Sequence, residues 1–288
     1  MNKISFIGIG IMGKSMAYNL LKAGYELHIY ARRKEAAQDL VAEGAVFHDS
    51  VKSCCSSGEV VITMVGFPAD VEEVYFGEGG IMDNAREGAC LIDMTTTSPR
   101  LAERIYEEGC KRGYKVLDAP VTGGDAGAKA GTLSILVGGD IDTYNTCLSI
   151  FEAMGTNIRY HGKAGSGQHA KMANQIMIAG TMSGICEALS YARSQGLDPM
   201  TLLESVSTGA AGSNQLNSFG KKIVEGDYAP GFYMKHFIKD MGIALEESRN
   251  KNLMLSVLEQ TLMHYKELEA EGLGDMGTQA LIEYYASK

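Results

Sequence analysis

The chain predicts an α/β fold, a Rossmann-type doubly wound parallel sheet followed by an all-α C-terminal domain on a long connecting helix. Three observations predict it. Apolar runs of strand length alternate with amphipathic stretches to about Tyr160, a glycine loop follows the first of those runs, and helical periodicity takes over after Gly167. At 288 residues the chain exceeds the usual single-core domain, so two domains are expected.

The runs Lys3 to Ile9, Glu26 to Tyr30, Val60 to Met64, Ala89 to Asp93, Tyr114 to Asp118, Leu133 to Val137 and Ile158 to Tyr160 predict strands. Between them Met12 to Ala23, Arg33 to Glu43, Pro99 to Arg112 and Asp142 to Met154 predict helices, with Gly24, Gly44, Gly113 and Gly155 placed where helices end. Alternation of strand and helix makes the sheet parallel, because each helix returns the chain to the same edge direction. An apolar stretch from His169 to about Gln195 predicts one long helix, and Pro199, Gly209 to Gly212, and Pro230 with Gly231 break the rest of the chain into shorter helices. The expected domains are residues 1–162 for dinucleotide binding, 163–195 for the interdomain helix and 196–288 for a helical substrate and oligomerisation domain. The glycine-rich junction at Gly162 to Gly167 is where a ligand site is expected, since such sites favour domain interfaces.

Composition narrows the function. With 45% hydrophobic and 21% charged residues the chain is an ordinary globular protein. A net charge of −9 argues against a nucleic-acid surface, so an anionic substrate must be captured locally. Met1 to Gly10 run into a strand-like segment without a basic leader, and no apolar stretch approaches the roughly 20 residues of a spanning helix. A cytoplasmic protein with no membrane partner is expected. Cys54, Cys55, Cys90, Cys110, Cys147 and Cys186 lie scattered, without zinc-ligand spacing, and read as reduced and mostly structural. Histidines 28, 48, 161, 169, 236 and 264 show no metal spacing either, so no metal is expected.

Gly8-Ile9-Gly10-Ile11-Met12-Gly13 closes the first strand and opens the first helix, the context in which GxGxxG means a dinucleotide. Gly8, Gly10 and Gly13 let the backbone approach a pyrophosphate, and the first helical residues Ile11 and Met12 face it with amide donors and a positive dipole. The second strand ends at Tyr30-Ala31-Arg32-Arg33, where an NAD enzyme would place a carboxylate. Arg32 and Arg33 suit a 2′-phosphate instead, which favours NADP with NAD possible. Met64 and Val65, at the end of the third strand, are assigned to the same cofactor. Thr122-Gly123-Gly124, after a strand end, offers a hydroxyl and backbone N–H groups as a nest for a substrate carboxylate. Lys171 stands among Met172, Ala173, Ile176 and Met177, and counting alone would make it a solvated or snorkelling lysine.

Phe6-Ile7-Gly8-Ile9-Gly10-Ile11-Met12-Gly13, Asp93-Met94-Thr95-Thr96, Asp118 to Gly124, Gly165-Ser166-Gly167 followed by Lys171, and Lys239-Asp240 together resemble the β-hydroxyacid dehydrogenases. This is the family of 3-hydroxyisobutyrate dehydrogenases and tartronate semialdehyde (2-hydroxy-3-oxopropionate) reductases, and the resemblance covers nearly the whole chain. It implies an NADPH-preferring oxidoreductase that interconverts a short carboxylate-bearing aldehyde and its hydroxy acid, the aldehyde being of tartronate, methylmalonate or succinic semialdehyde or glyoxylate type. By the same resemblance Lys171 gives and takes the proton at the carbonyl oxygen, a role suited to lysine because burial and nearby cations can tune it. Thr96 would contact the nicotinamide ribose, and Lys239, oriented by Asp240, would reach the cofactor and the active site. Gly212-Ser213-Asn214 would lie near the substrate pocket.

One departure concerns the residue four after Lys171, on the same helix face. The family commonly has a substrate-holding asparagine there, whereas this chain has Gln175 after Asn174. The amide is kept on an arm one methylene longer, which points toward the tartronate type. Other readings are a related imine reductase, a 6-phosphogluconate-type dehydrogenase, or a non-catalytic NADP-binding module. Lys171 argues against the first and the last, and the chain length against the second. The Met-rich helical half is expected to make a homodimer or homotetramer.

Overall fold

Runs rich in β-branched residues and leucine form the strands β1 (Lys3–Ile7), β2 (Glu26–Tyr30), β3 (Val46–Phe47), β4 (Val60–Thr63), β5 (Cys90–Asp93), β6 (Lys115–Asp118), β7 (Val121–Thr122), β8 (Leu133–Gly139) and β9 (Gly155–Gly162). The computed structural model describes residues 1–286 and joins these strands in one sheet, in the order β3-β2-β1-β4-β5-β6-β8-β7, with β9 also paired to β8. From β1 to β6 all neighbours run parallel. The order reverses between β1 and β4, and ligands of such sheets bind outside the strand ends at that switch point. β8 departs from the all-parallel expectation, pairing antiparallel with β6 and β7. The reason lies in the β7–β8 connection, which carries only a short helix, whereas a parallel return needs a crossover of roughly a dozen residues or more.

The helices that accompany the sheet are α1 (Ile11–Lys22), α2 (Gln38–Ala42), α3 (Val51–Cys55), α4 (Pro68–Phe76), α5 (Ile81–Asn84), α6 (Pro99–Lys111), α7 (Gly124–Ala130) and α8 (Ile141–Glu152). Strand side chains alternate between two cores. Ile4, Phe6, Val60, Ile62, Ile92 and Leu117 join Met16 and Leu20 of α1 and Phe151 of α8. Ile7, Val61, Leu91 and Val116 join Val71 and Tyr75 of α4 and Ile105 of α6. Both faces are therefore buried, as a parallel sheet requires. The predicted helix at Arg33 to Glu43 is a 3-10 turn, Lys34–Ala37, followed by α2. Gly24, Gly44 and Gly113 follow helices with φ of +89°, +106° and +80°. Gly155 does not end α8. It opens β9, because a Cβ there would meet the Leu133 carbonyl oxygen at 2.4 Å.

α9 (Ser166–Ser194) is the predicted long helix, and the remaining ones are α10 (Pro199–Val206), α11 (Asn214–Glu225), α12 (Met234–Arg249), α13 (Ser256–Ala270) and α14 (Ile282–Ala286). The chain forms two units, divided after Lys171. In the second, Ala179, Met182, Cys186 and Leu189 repeat at helical spacing along α9 and share a core with Phe237 and Met241 of α12 and Leu262 and Tyr265 of α13. The Phe237 and Tyr265 rings meet edge to face at 5.4 Å, and the Tyr265 hydroxyl donates to the Thr278 carbonyl at 2.7 Å. Asp198 and Ser213 cap α10 and α11. No described helix is long and apolar enough to cross a membrane.

Candidate active site

β1 ends at Ile7, and the next residues must turn sharply into α1. Gly8 does so with φ +104°, and a Cβ there would meet the Met64 carbonyl oxygen at 2.2 Å and Val65 Cγ1 at 3.1 Å. Gly13 sits on Gly8, where a Cβ would meet the Gly8 carbonyl oxygen at 2.0 Å. At Gly10 a Cβ would meet no atom of the described residues within 4 Å. Two of the glycines thus serve the chain's own packing, and the third keeps open the surface over the start of α1. No side chain caps α1, so the amides of its first turn, at Ile11 and Met12, face that surface. This cradle fits a pyrophosphate.

Arg32 and Arg33 follow β2 and are exposed. The Arg32 guanidinium lies 3.1 Å from Asp70 Oδ1, while Asp70 Oδ2 accepts from the Phe67 N–H at 3.0 Å and so starts α4. A phosphate at Arg32 would share it with Asp70.

Across the switch point, Thr63 of β4 donates its hydroxyl to Asp93 Oδ1 at 2.7 Å, and the Thr95 N–H donates to the same oxygen at 3.1 Å. The Val65 N–H donates to Thr95 Oγ1 at 3.0 Å. Asp93 therefore ties the ends of β4 and β5 together, and Met64 and Val65, which touch the glycine loop, hang from that tie. Its carboxyl is buried, and burial pushes it up to about 6 against the opposing hydrogen bonds from Thr63 and Thr95. Among the described residues Asp93 Oδ2 has no hydrogen-bond partner. Thr96, half-buried, lies just beyond Thr95 on the same segment.

Asp118, at the end of β6, accepts from the Gly165 N–H at Oδ1 (2.8 Å) and from the Gln168 N–H at Oδ2 (2.9 Å), capping the first turn of α9. Burial raises its carboxyl above the usual range, and these amides oppose the rise. Glycines make the approach possible: a Cβ on Gly167 would meet the Leu136 carbonyl oxygen at 2.3 Å, and one on Gly138 would meet Asp118 Oδ1 at 2.6 Å. Lys171, in the second turn of α9, is 7% exposed, whereas His169 is exposed. Thr122 ends β7, and Gly123 (φ +133°) and Gly124 (φ +62°) lead into α7 with the left-handed backbone that favours glycine.

In the second unit, Gln175 Nε2 donates to Asp240 Oδ2 at 2.6 Å, and Asn174 Nδ2 donates to Gln175 Oε1 at 2.8 Å. Lys239 Nζ stands 3.0 Å from Asp240 Oδ1. Both heavy-atom ends of the Gln175 amide are thus engaged. Ser213 spends its hydroxyl as the cap of α11. Among the described residues no group of three or more His, Cys, Asp or Glu is placed to hold a metal.

The assigned residues of the first unit therefore gather at the carboxyl ends of β1, β2, β4, β5 and β6–β7, and the second unit brings Gln175, Lys239 and Asp240 together. Sequence reasoning misses the ties beneath them. Asp93 and Asp118 stand in the family-like motifs without a role of their own, and nothing singles out Gln168. A carboxylate at the end of an apolar strand is the available signal for the first two.

Residues 3–162 match the family model described as the NAD binding domain of 6-phosphogluconate dehydrogenase. Residues 165–285 match that described as the NAD-binding of NADP-dependent 3-hydroxyisobutyrate dehydrogenase. These matches, with relatives named 3-hydroxyisobutyrate dehydrogenase and 2-hydroxy-3-oxopropionate reductase, make the chain an NAD(P)-dependent oxidoreductase acting on CH–OH groups. The chain is 49% identical over 282 residues to an uncharacterized oxidoreductase of Bacillus subtilis (strain 168), YkwC, covering 98% of each. It is 34% identical over 281 residues to the 2-hydroxy-3-oxopropionate reductase of Escherichia coli (strain K12), covering 98% of this chain and 96% of that one. Among solved structures, the Mycobacterium tuberculosis 3-hydroxyisobutyrate dehydrogenase with L-serine superposes with a TM-score of 0.89 at 28% identity, over 98% of both chains. The chain belongs to the β-hydroxyacid dehydrogenase family.

Proposed function

We propose that this protein is an NADPH-preferring reductase of short carboxylate-bearing aldehydes, reversible on the matching hydroxy acids, with Lys171 as the proton-transfer residue. The observation that carries the reading is a lysine only 7% exposed in the second turn of a helix whose first turn is anchored to the strand ends. Burying an ammonium costs free energy unless it is paired or hydrogen-bonded, and a lysine kept at the family's proton-transfer position in spite of that cost supports the reading. When bound, the nicotinamide supplies or takes up the hydride. Lys171 gives its proton to the carbonyl oxygen in reduction and recovers it from the hydroxyl in oxidation.

The remaining residues bind and orient. Gly8, Gly10, Ile11, Met12 and Gly13 hold the pyrophosphate, Arg32 and Arg33 the 2′-phosphate, and Met64, Val65 and Thr96 the nicotinamide half. Thr122, Gly123 and Gly124 receive the substrate carboxylate. Lys239, held by Asp240 and through it by Gln175, adds a fixed positive charge for an anionic substrate. The reductase and dehydrogenase names of the relatives support a hydroxy-acid and semialdehyde substrate class, within which the candidates are tartronate, methylmalonate and succinic semialdehyde and glyoxylate. The same reading takes the protein as cytoplasmic and as a homodimer or homotetramer built through residues 196–288.

The test is oxidation of NADPH and of NADH at about pH 7 against those four aldehydes, with wild type and Lys171→Ala in parallel. One aldehyde is expected to turn over with NADPH, and the variant to lose roughly 100-fold or more while still binding cofactor, the usual size of a general acid's contribution. A wild type inert on all four, or a variant as active as wild type, overturns the reading.

A further inference from the structure

Gln168 is 0% exposed and uses both ends of its amide. Oε1 accepts from the Thr97 N–H at 3.1 Å, and Nε2 donates to the Thr95 carbonyl at 2.7 Å. The two partners fix the amide's orientation, since a flip would set donor against donor and acceptor against acceptor. Both partners are backbone atoms, one on each side of Thr96, so the side chain grips the segment after β5 as a clip grips a ribbon. The Gln168 backbone is gripped in turn, because its N–H donates to Asp118 Oδ2 at 2.9 Å. Lys171 stands three residues further along the same helix.

We infer that Gln168 is a positioning residue for the reaction, holding the Thr95–Thr97 segment and the first turns of α9 at one spacing. The inference rests on the proton-transfer reading of Lys171. That spacing matters because the proton donor on α9 and the cofactor held by the segment must act on one carbonyl at the same moment. A displacement of about 1 Å between such groups lowers turnover by up to roughly 100-fold.

The experiment compares wild type, Gln168→Met, Gln168→Glu and Lys171→Ala by steady-state kinetics with the active aldehyde, NADPH titration and hydrogen exchange of the unliganded protein. Gln168→Met keeps the length and loses both hydrogen bonds. Its kcat is expected to fall about 10- to 100-fold with the aldehyde KM within about threefold, and faster exchange to be confined to Thr95–Thr97 and Gly165–Lys171. Gln168→Glu keeps the acceptor for Thr97 but sets a carboxylate oxygen against the Thr95 carbonyl. Protonation restores a donor there, so its kcat relative to wild type rises as pH falls from about 8 to about 5.5, burial having raised the carboxyl's pKa.

A Gln168→Met enzyme with kcat within about threefold of wild type, or a Gln168→Glu enzyme with no recovery in acid, overturns the inference while leaving Lys171 in place. If Gln168→Met fails to fold, the acid recovery of Gln168→Glu decides alone. Full activity in Lys171→Ala removes the reading beneath it and the inference with it.

Discussion

Replacing Asp93 by asparagine is expected to raise stability at neutral pH and to flatten its dependence on pH. The carboxyl moves from an ordinary 3.8 to about 6 because it is buried at the end of β5. That difference of roughly two units corresponds to about 3 kcal/mol, at about 1.4 kcal/mol per unit. The folded state binds this proton more tightly than the unfolded state does. Below about pH 4 both are protonated and nothing is lost; between about pH 4 and 6 stability falls as pH rises; above about pH 6 the full loss of about 3 kcal/mol is in place. Asparagine keeps an oxygen for Thr63 and the Thr95 N–H, and sets a neutral amide where Oδ2 has no partner. Any constant effect of the new N–H cancels when two pH values are compared. Urea unfolding of wild type and Asp93→Asn, followed by circular dichroism from pH 4 to pH 8, should therefore show the variant gaining about 3 kcal/mol relative to wild type across that range. A relative change below about 0.5 kcal/mol, or one of opposite sign, refutes the raising of this carboxyl's pKa by burial.

Two further outcomes concern ligand choice. Arg32→Ser with Arg33→Ser should raise the KM for NADPH about 10- to 100-fold and leave that for NADH within a few-fold, since charge-assisted hydrogen bonds contribute about 1.5–3 kcal/mol; unchanged selectivity would mean that the 2′-phosphate is held elsewhere. Gln175→Asn withdraws the amide from Asp240, a 2.6 Å bond that a side chain one methylene shorter does not reach. Its kcat/KM across the aldehyde panel should shift about 10-fold or more with NADPH affinity unchanged, and values all within threefold would place Gln175 outside the substrate site.

Most of the nucleotide-binding half is legible because its signals are local. β1, the glycine loop and α1 are consecutive in sequence, and Glu26 to Tyr30 alternates as a half-buried strand does. α4 is hard to see because Pro68 looks like a break, although proline at the first helical position with Asp70 three residues after Phe67 is a start signal. The antiparallel β8 looks like one more parallel strand, since pairing direction is set by the connection and not by the residues of the strand itself. Gly155 misleads because glycine's lack of a Cβ serves close approach to Leu133, not a left-handed turn. Gln168 gives no sign at all: its partners are main-chain atoms 71 and 73 residues away, and any glutamine in an apolar helix looks the same.

The cap of α9 has a consequence for building with this protein. The helix has no acidic residue in its first turn, and its start is set by Asp118, 47 residues before Gly165. The instruction for where the long helix begins is therefore stored in the sheet, outside the segment that obeys it. A chimera that transplants the chain from Gly165 onward to another nucleotide-binding domain inherits the lysine but leaves the instruction behind. To keep the helix in register, the recipient has to offer a carboxylate at the end of its own sixth strand and a glycine at the place of Gly138, while Gly167 travels with the transplant.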